Sequence, residues 1–232
     1  MIKIMKDIKL YIISACIAVS QVSCDNADEL LDKYIENGPI VYAGKINDIA
    51  ILSGYYQVGV NILPSQDVNK AYCMLKWNNS TGAKDSMRVE YSDANFDLMK
   101  GGYFKIISLP SIEGNILIEA YNIDTFGNKS LLFMKGGYVY GANYVNTLFP
   151  STVKFAAGNA SLEFDNKIGA LDNIVSYEQI DGQFTPEVTV VKTLQLINPK
   201  KGGKVRSKTR YLINQSDVDI LITPNYLETV IP

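Results

Sequence analysis

Ser23-Cys24-Asp25 is where residue type and spacing most clearly specify a covalent reaction in this chain. Lys3, Lys6 and Lys9 make a basic start, Leu10 to Val19 is an apolar run of ten residues, and small residues precede Cys24. Ten is too short for a bilayer span, which needs about 20 apolar residues, and fits a signal peptide. The chemistry expected is cleavage before Cys24 and acylation of its thiol, leaving a lipid-anchored amino terminus. Gln21 stands where such sites favour an aliphatic residue, and a plain secretory peptide with an ordinary Cys24 is the competing reading. Ile13-Ser14-Ala15-Cys16 also fits on paper, but cutting there leaves too few apolar residues for insertion.

The other side chains define what the chain lacks. There is no histidine, which removes imidazole-based triads, the commonest zinc sites and the usual general base. No glycine-rich phosphate loop follows a strand and opens a helix. Loss of residues 1–23 discards Cys16 and leaves Cys73 without an internal disulfide partner once Cys24 is acylated. Cys73 lies in the apolar run Ala71 to Leu75 and reads as a small buried hydrophobe. Carboxylates could serve a glycosidase only as a pair facing a cleft about 5 to 9 Å apart, which sequence cannot pair. Asp217-x-Asp219 and Asp165-Asn166 offer too few oxygens for the 6 to 8 that calcium takes, so neither metal nor cofactor is expected.

Tyrosine, at 15 residues, is the abundant aromatic. A sugar presents a C–H face that stacks on such rings while its hydroxyls reach amides and carboxylates. Rings in turns or at a domain boundary are the better candidates for that work: Tyr55 and Tyr56 after Gly54, Phe126 in the Asp124 to Asn128 turn, and Tyr140 and Tyr144. Clefts between domains are common ligand sites, which ranks Tyr140 and Tyr144 first.

The elements that must position these residues are strands. Lys105 to Met134 alternates apolar and polar residues, turns at Glu113-Gly114-Asn115, alternates through Ile116, Ile118 and Ala120, and turns again at Asp124 to Asn128. That is strand, turn, strand, turn, strand. Further strands are expected over 40–43, 50–53, 55–63, 70–78, 87–91 and 103–109, with 92–102 as a loop and Trp77 as core between sheets. After the break near 141–150 they recur over 153–156, 160–164, 173–179, 189–196, 205–213 and 219–222. The fold class expected is all-β: two tandem β-sandwich modules, 40–141 and 146–232, behind a signal peptide (1–23) and an acidic tether (24–39). Lys204, Arg206, Lys208 and Arg210 fall on one strand face, which reads as a solvated edge guarding against strand addition, with a site for an acidic polymer as the alternative.

Leu109, Glu113-Gly114, Ile116, Ile118, Ala120, Asn122 and Gly127-Asn128-x-Ser130 resemble the last strands of fibronectin type III domains, immunoglobulin-like sandwiches. In that family a tyrosine usually stands where Ile116 does. A wider set is similar to a family of bacterial lipoproteins catalogued as domain of unknown function 4998, found mainly in Bacteroidota. It comprises Ile40 to Lys45, Trp77-Asn78-Asn79 with Asp85-Ser86, Gly127 to Ser130, and Val139-Tyr140-Gly141 with Tyr144. This resemblance implies the sandwich architecture and an envelope location. The acidic run from Asp25 behind Cys24 resembles a surface-export signal of Bacteroidota lipoproteins, with an ordinary solvated tether as the alternative.

Net charge moves from −2 to −4 when the leader takes away Lys3, Lys6, Lys9 and Asp7. Near-neutral charge argues against nucleic acid as a partner. The expectation is a non-catalytic, lipid-anchored outer-membrane protein facing the cell surface or the periplasm. It would bind or position a polysaccharide or an outer-membrane protein. The alternatives are a glycan-active enzyme with paired carboxylates and a structural spacer or pilus-like subunit.

Overall fold

A computed structural model of the chain describes residues 41–64, 66–156 and 161–232. The expected signal peptide, Cys24 and the tether lie outside these described residues. Residues 43–232 form one compact unit built from two β-sandwiches.

The first sandwich uses eight strands. They are β1 (Asp48–Gly54), β2 (Gln57–Leu63), β3 (Lys70–Asn78), β4 (Lys84–Glu90), β5 (Phe96–Asp97), β6 (Gly102–Ser108), β7 (Gly114–Asp124) and β8 (Phe133–Val139). One sheet runs β1-β2-β6-β5 and the other β4-β3-β7-β8, all antiparallel. The alternation of β7 puts Ile116, Ile118 and Ala120 inward, against Val58, Val60 and Ile62 of β2 and Cys73, Leu75 and Trp77 of β3. Trp77 is 8% exposed and belongs to this core.

Two details differ from the alternation reading. The first described strand begins at Asp48, with no strand over 41–47, and 92–102 contains a 3-10 turn (Asp93–Asn95) and β5 rather than a plain loop. The strands β6 and β7 are also not hairpin partners. The corner from Leu109 to Glu113 carries the chain from one sheet to the other.

An α-helix, α1 (Ala142–Asn146), follows, where only a break was expected. The second sandwich comprises β9 (Thr152–Ala156), β10 (Ser161–Asp165), β11 (Ala170–Tyr177), β12 (Val188–Val190), β13 (Thr193–Gln195), β14 (Lys204–Tyr211), β15 (Leu221–Ile222) and β16 (Leu227–Val230). Its sheets run β13-β10-β9 and β12-β11-β14-β15, with β16 also on β14. This is the strand order of the first sandwich repeated: β9, β10 and β13 take the places of β1, β2 and β6, and β12, β11 and β14 those of β4, β3 and β7. The two modules share topology although their letters have diverged. The expected single strand over 189–196 is split because Val191 and Lys192 carry the chain from the β11 sheet to the β10 sheet.

The basic strand is not an edge. β14 lies between β11 on one side and β15 and β16 on the other, so the edge-guard reading is overturned. Its outward cations are partnered: Lys204 and Arg206 both reach Glu228, Arg206 lies over Phe184, Lys208 over Tyr226, and Arg210 grips Asp172. The two basic groups on Glu228, Lys204 first, hold its carboxyl below the ordinary carboxylate value.

Candidate functional site

The two sandwiches meet where the turn between β1 and β2 receives the loop between β14 and β15. Gly54 pairs with Gln57, leaving Tyr55 and Tyr56 as a two-residue turn. Tyr56 sits at φ 52, a left-handed conformation uncommon for a residue with a bulky side chain. Three bonds hold it there. Its N–H donates to the carbonyl of Tyr140 at 2.7 Å, its carbonyl accepts from the N–H of Leu109 at 2.7 Å, and its hydroxyl accepts from the N–H of Ala142 at 3.1 Å. The Tyr140 N–H in turn donates to the Gly54 carbonyl at 2.9 Å, which ties the end of β1 to the end of β8.

The 214–219 loop of the second sandwich closes on this turn. Asp219 Oδ2 accepts from the Tyr55 N–H and from Gln57 Nε2, each at 2.7 Å, and the Val218 N–H donates to the Ser53 carbonyl at 2.9 Å. Val218 fits against two glycines: a Cβ on Gly54 would lie 2.3 Å from Val218 Cγ2, and one on Gly59 would lie 2.8 Å from Val218 Cγ1. Only hydrogen at these positions lets the loop seat. Tyr140 donates its hydroxyl to Asp217 Oδ2 at 2.9 Å, and Asp217 also accepts from the Asn214 N–H at 2.9 Å. Burial first, and then Asp217 beside it, pushes the Tyr140 phenol above its ordinary value.

Under these bonds lies a small core of its own, with Tyr140, Tyr211 and Leu221 buried and Tyr144, Val145, Leu148, Ala170 and Ile213 packed against them. The helix α1 forms one wall. Its amino end is capped by Glu113 from the β6–β7 corner, whose carboxylate accepts from Asn143 N at 3.1 Å, Asn143 Nδ2 at 3.0 Å and Tyr144 N at 2.5 Å. Gly141 is required for this approach, since a Cβ there would lie 2.5 Å from Glu113 Oε2.

A cleft of about 590 Å³ opens beside the docked loop. Tyr55, Gln57, Asp219, Ile220, Ile222 and Pro224 line it. Tyr55 is 44% exposed and offers its ring to the cleft, and Ile220 and Ile222 are exposed as well. Its volume falls in the range of small-molecule sites, and it combines apolar faces with a few oriented polar groups.

The sequence matches the family described as DUF4998, a domain of unknown function, over residues 24–220, a span that runs across both sandwiches. The chain belongs to that family. Structural neighbours of this DUF4998 chain are fibronectin type III domains. The chicken CNTN1 FN1–FN3 domains align over 82% of this chain and 68% of that one, at 11% identity and a TM-score of 0.39. A two-domain fibronectin type III segment from chicken tenascin aligns over 80% of this chain and 99% of that one, at 12% identity and a TM-score of 0.34. No curated protein matches the sequence.

The residues expected to bind a ligand separate into three groups. Tyr55 faces the cleft. Tyr140, ranked first with Tyr144, is only 4% exposed and is committed to Asp217, so its ring is junction packing rather than a stacking platform. Tyr56 and Tyr144 are half-buried in the same junction, the Tyr144 ring centroid lying 4.6 Å from that of Tyr140 in a tilted pair and 5.9 Å from that of Tyr138 in an edge-on one. Phe126 is 75% exposed but belongs to the loop before β8, whereas the junction lies beyond the end of that strand. Sequence reasoning missed Glu113, Gln57, Val218 and Asp219 as junction residues. Asp217-x-Asp219 was visible as a pair of acids, yet its partners Tyr140 and Tyr55 lie 77 and 164 residues away. Among the described residues no group of three or more His, Cys, Asp or Glu converges, and no helix is long and apolar enough to cross a membrane.

Proposed function

We propose that this protein is a non-catalytic, lipid-anchored protein of the bacterial outer membrane that binds a glycan in the cleft between its two sandwiches. The observation that carries this reading is the exposed ring of Tyr55 in a cleft whose walls are already locked by the Asp219 and Val218 bonds. A pre-formed wall loses little conformational entropy on binding, and a tyrosine ring beside oriented amide and carboxylate groups suits a pyranose face and its hydroxyls. Support for a non-catalytic role comes from the acids nearest the cleft. Asp217 and Asp219 are occupied by Tyr140, Asn214, Tyr55 and Gln57, which leaves them as struts rather than as a proton donor and a base. The anchor rests on the Cys24 reading of the leader.

The test is a glycan-array screen of the soluble fragment beginning at residue 25, repeated with Tyr55→Ala. Binding that Tyr55→Ala abolishes without lowering the melting temperature supports the cleft. Binding that survives the change moves the site elsewhere, and failure to bind any glycan removes the reading. For the anchor, wild type should fractionate with membranes and incorporate palmitate, since two or more acyl chains hold a protein where one is marginal. Cys24→Ala that does both would overturn it.

A further inference from the structure

A second hollow, on the first sandwich alone, presents a different chemistry. The turn between β3 and β4 and the corner between β6 and β7 enclose about 440 Å³, lined among others by Asn78, Ser80, Ser111, Asn115, Ile112 and Leu117. A neighbouring hollow of about 240 Å³ shares Asn79, Ser80, Ser111 and Ile112 and is also lined by Trp77 and Asp85.

Both walls are rigid. In the β3–β4 turn, Asn79 Oδ1 accepts from Thr81 N at 3.1 Å, Thr81 Oγ1 at 2.8 Å and Ala83 N at 3.0 Å, and Gly82 takes the left-handed φ of 81 that closes the turn. In the corner, the Ile112 N–H donates to the Leu109 carbonyl at 3.0 Å, and Leu109 is itself tied to Tyr56. Of the polar side chains that line the larger hollow, Asn79 and Glu113 are committed and four are not. Asn78, Ser80, Ser111 and Asn115 make no side-chain hydrogen bond within the described residues, and Asn78 and Asn115 stand at the ends of the adjacent strands β3 and β7. No described Lys or Arg lines either hollow; Glu113, which lines the larger, is bonded to the amino end of α1, and Asp85, which lines the smaller, accepts from Asn79 Nδ2 at 3.5 Å.

We infer that this groove is a second binding site for a neutral, hydroxyl-rich ligand, a pyranose unit of an uncharged polysaccharide. Free amides and hydroxyls supply paired donors and acceptors, Ile112 and Leu117 supply an apolar floor for a C–H face, and the lack of a cation disfavours anionic sugars and phosphates. The inference rests on the glycan reading above but not on its cleft, and it gives the protein a second glycan site.

The experiment is a nuclear magnetic resonance titration of the 25–232 fragment with short neutral oligosaccharides of glucose, mannose and galactose. It follows the Asn78 and Asn115 side-chain amides and the Tyr55 and Ile220 signals together. Shifts at Asn78 and Asn115, with about tenfold weaker binding in the Asn78→Ala/Asn115→Ala variant at unchanged melting temperature, establish the groove. Shifts confined to Tyr55 and Ile220 overturn the groove and leave the cleft standing. Shifts confined to the groove do the reverse, and no shift with any of the sugars overturns both. A parallel titration with sialylated oligosaccharide should move neither amide, and binding there would overturn the claim of neutrality.

Discussion

The hydroxyl of Tyr140, at the end of the first sandwich, donates to Asp217 Oδ2 in the β14–β15 loop of the second at 2.9 Å, across 77 residues of chain. Tyr140 is also the residue whose backbone closes the β1–β2 turn, through Gly54 and Tyr56. One residue therefore completes the first sandwich with its main chain and fastens the second with its side chain.

Tyr140→Phe removes the fastening and keeps the closure. The expected loss is about 1 kcal/mol, since Asp217 retains Asn214 as a donor. The effect carries a pH signature. The phenol titrates above its ordinary value when folded, so its contribution is fully present below about pH 10, where the unfolded tyrosine ionises, and is lost as pH rises toward the folded value. Thermal melts from neutral to strongly alkaline pH should show wild type losing stability more steeply above about pH 10 than Tyr140→Phe. Equal alkaline slopes would show that Tyr140 does not couple folding to pH.

Seating of the 214–219 loop depends on volume as well as hydrogen bonds. Gly54→Ala places a methyl 2.3 Å from Val218 Cγ2, and overpacking of this kind costs about 1 to 3 kcal/mol. Val218→Ala removes the closest of three clashes, those with Asp219 Oδ2 at 2.6 Å and Gln57 Cγ at 2.9 Å remaining, so the double variant should recover part of the loss and melt above Gly54→Ala alone, a coupling that independent sites would not show. Limited proteolysis gives a second readout. Gly54→Ala should open a cut within 212–220 that wild type resists, because the loop's anchors to Ser53, Tyr55 and Gln57 are displaced. Strictly additive melting shifts would refute the steric account.

Cys73 is fully buried in the first core, and burial pushes its thiol up to about 12. Thiolate is the reactive form, so the folded protein should resist an aromatic disulfide reagent at neutral pH and react with it only at the rate of unfolding. Fast labelling of the native fragment under conditions where circular dichroism shows it folded would contradict the packing described here.

These cases show where sequence carries the structure and where it does not. Ile116, Ile118 and Ala120 were legible as an inward row because strand alternation is a local pattern with period two, and Cys73 because its neighbours on the chain are apolar. The junction was not legible in its details. Tyr55 with Asp219, and Gly54 with Val218, are contacts between distant residues, and no local period encodes them. Tyr140 shows the consequence: its place near a module boundary was readable, but whether its ring faced solvent or Asp217 depended on a loop 77 residues away. The basic strand failed for a related reason: four cations on one face read as a solvated edge, whereas their partners Glu228 on β16 and Asp172 on β11 lie on neighbouring strands that no local pattern pairs with β14.

Arg210 and Asp172 give the last prediction, which concerns that strand. Asp172 is 6% exposed, and Arg210 from the central strand β14 meets both of its oxygens, Nε to Oδ1 and Nη2 to Oδ2, each at 2.6 Å. The hydrogen bonds that Arg210 donates to Asp172 hold the guanidinium above its ordinary value. A bidentate pair of this kind is costly to break from one side, because the partner carboxylate stays buried without its cation. Arg210→Met should therefore destabilise the protein by about 2 to 4 kcal/mol, less than a wholly buried pair because Arg210 is partly exposed. Arg210→Lys should recover only part of this, since an ammonium is a point charge that cannot match the planar fork. The decisive comparison is with Arg210→Met/Asp172→Asn, which removes both charges. It should be more stable than Arg210→Met alone, as chemical denaturation will show. If the double variant is the less stable of the two, the penalty comes from lost packing along β14 and β11 rather than from the stranded carboxylate.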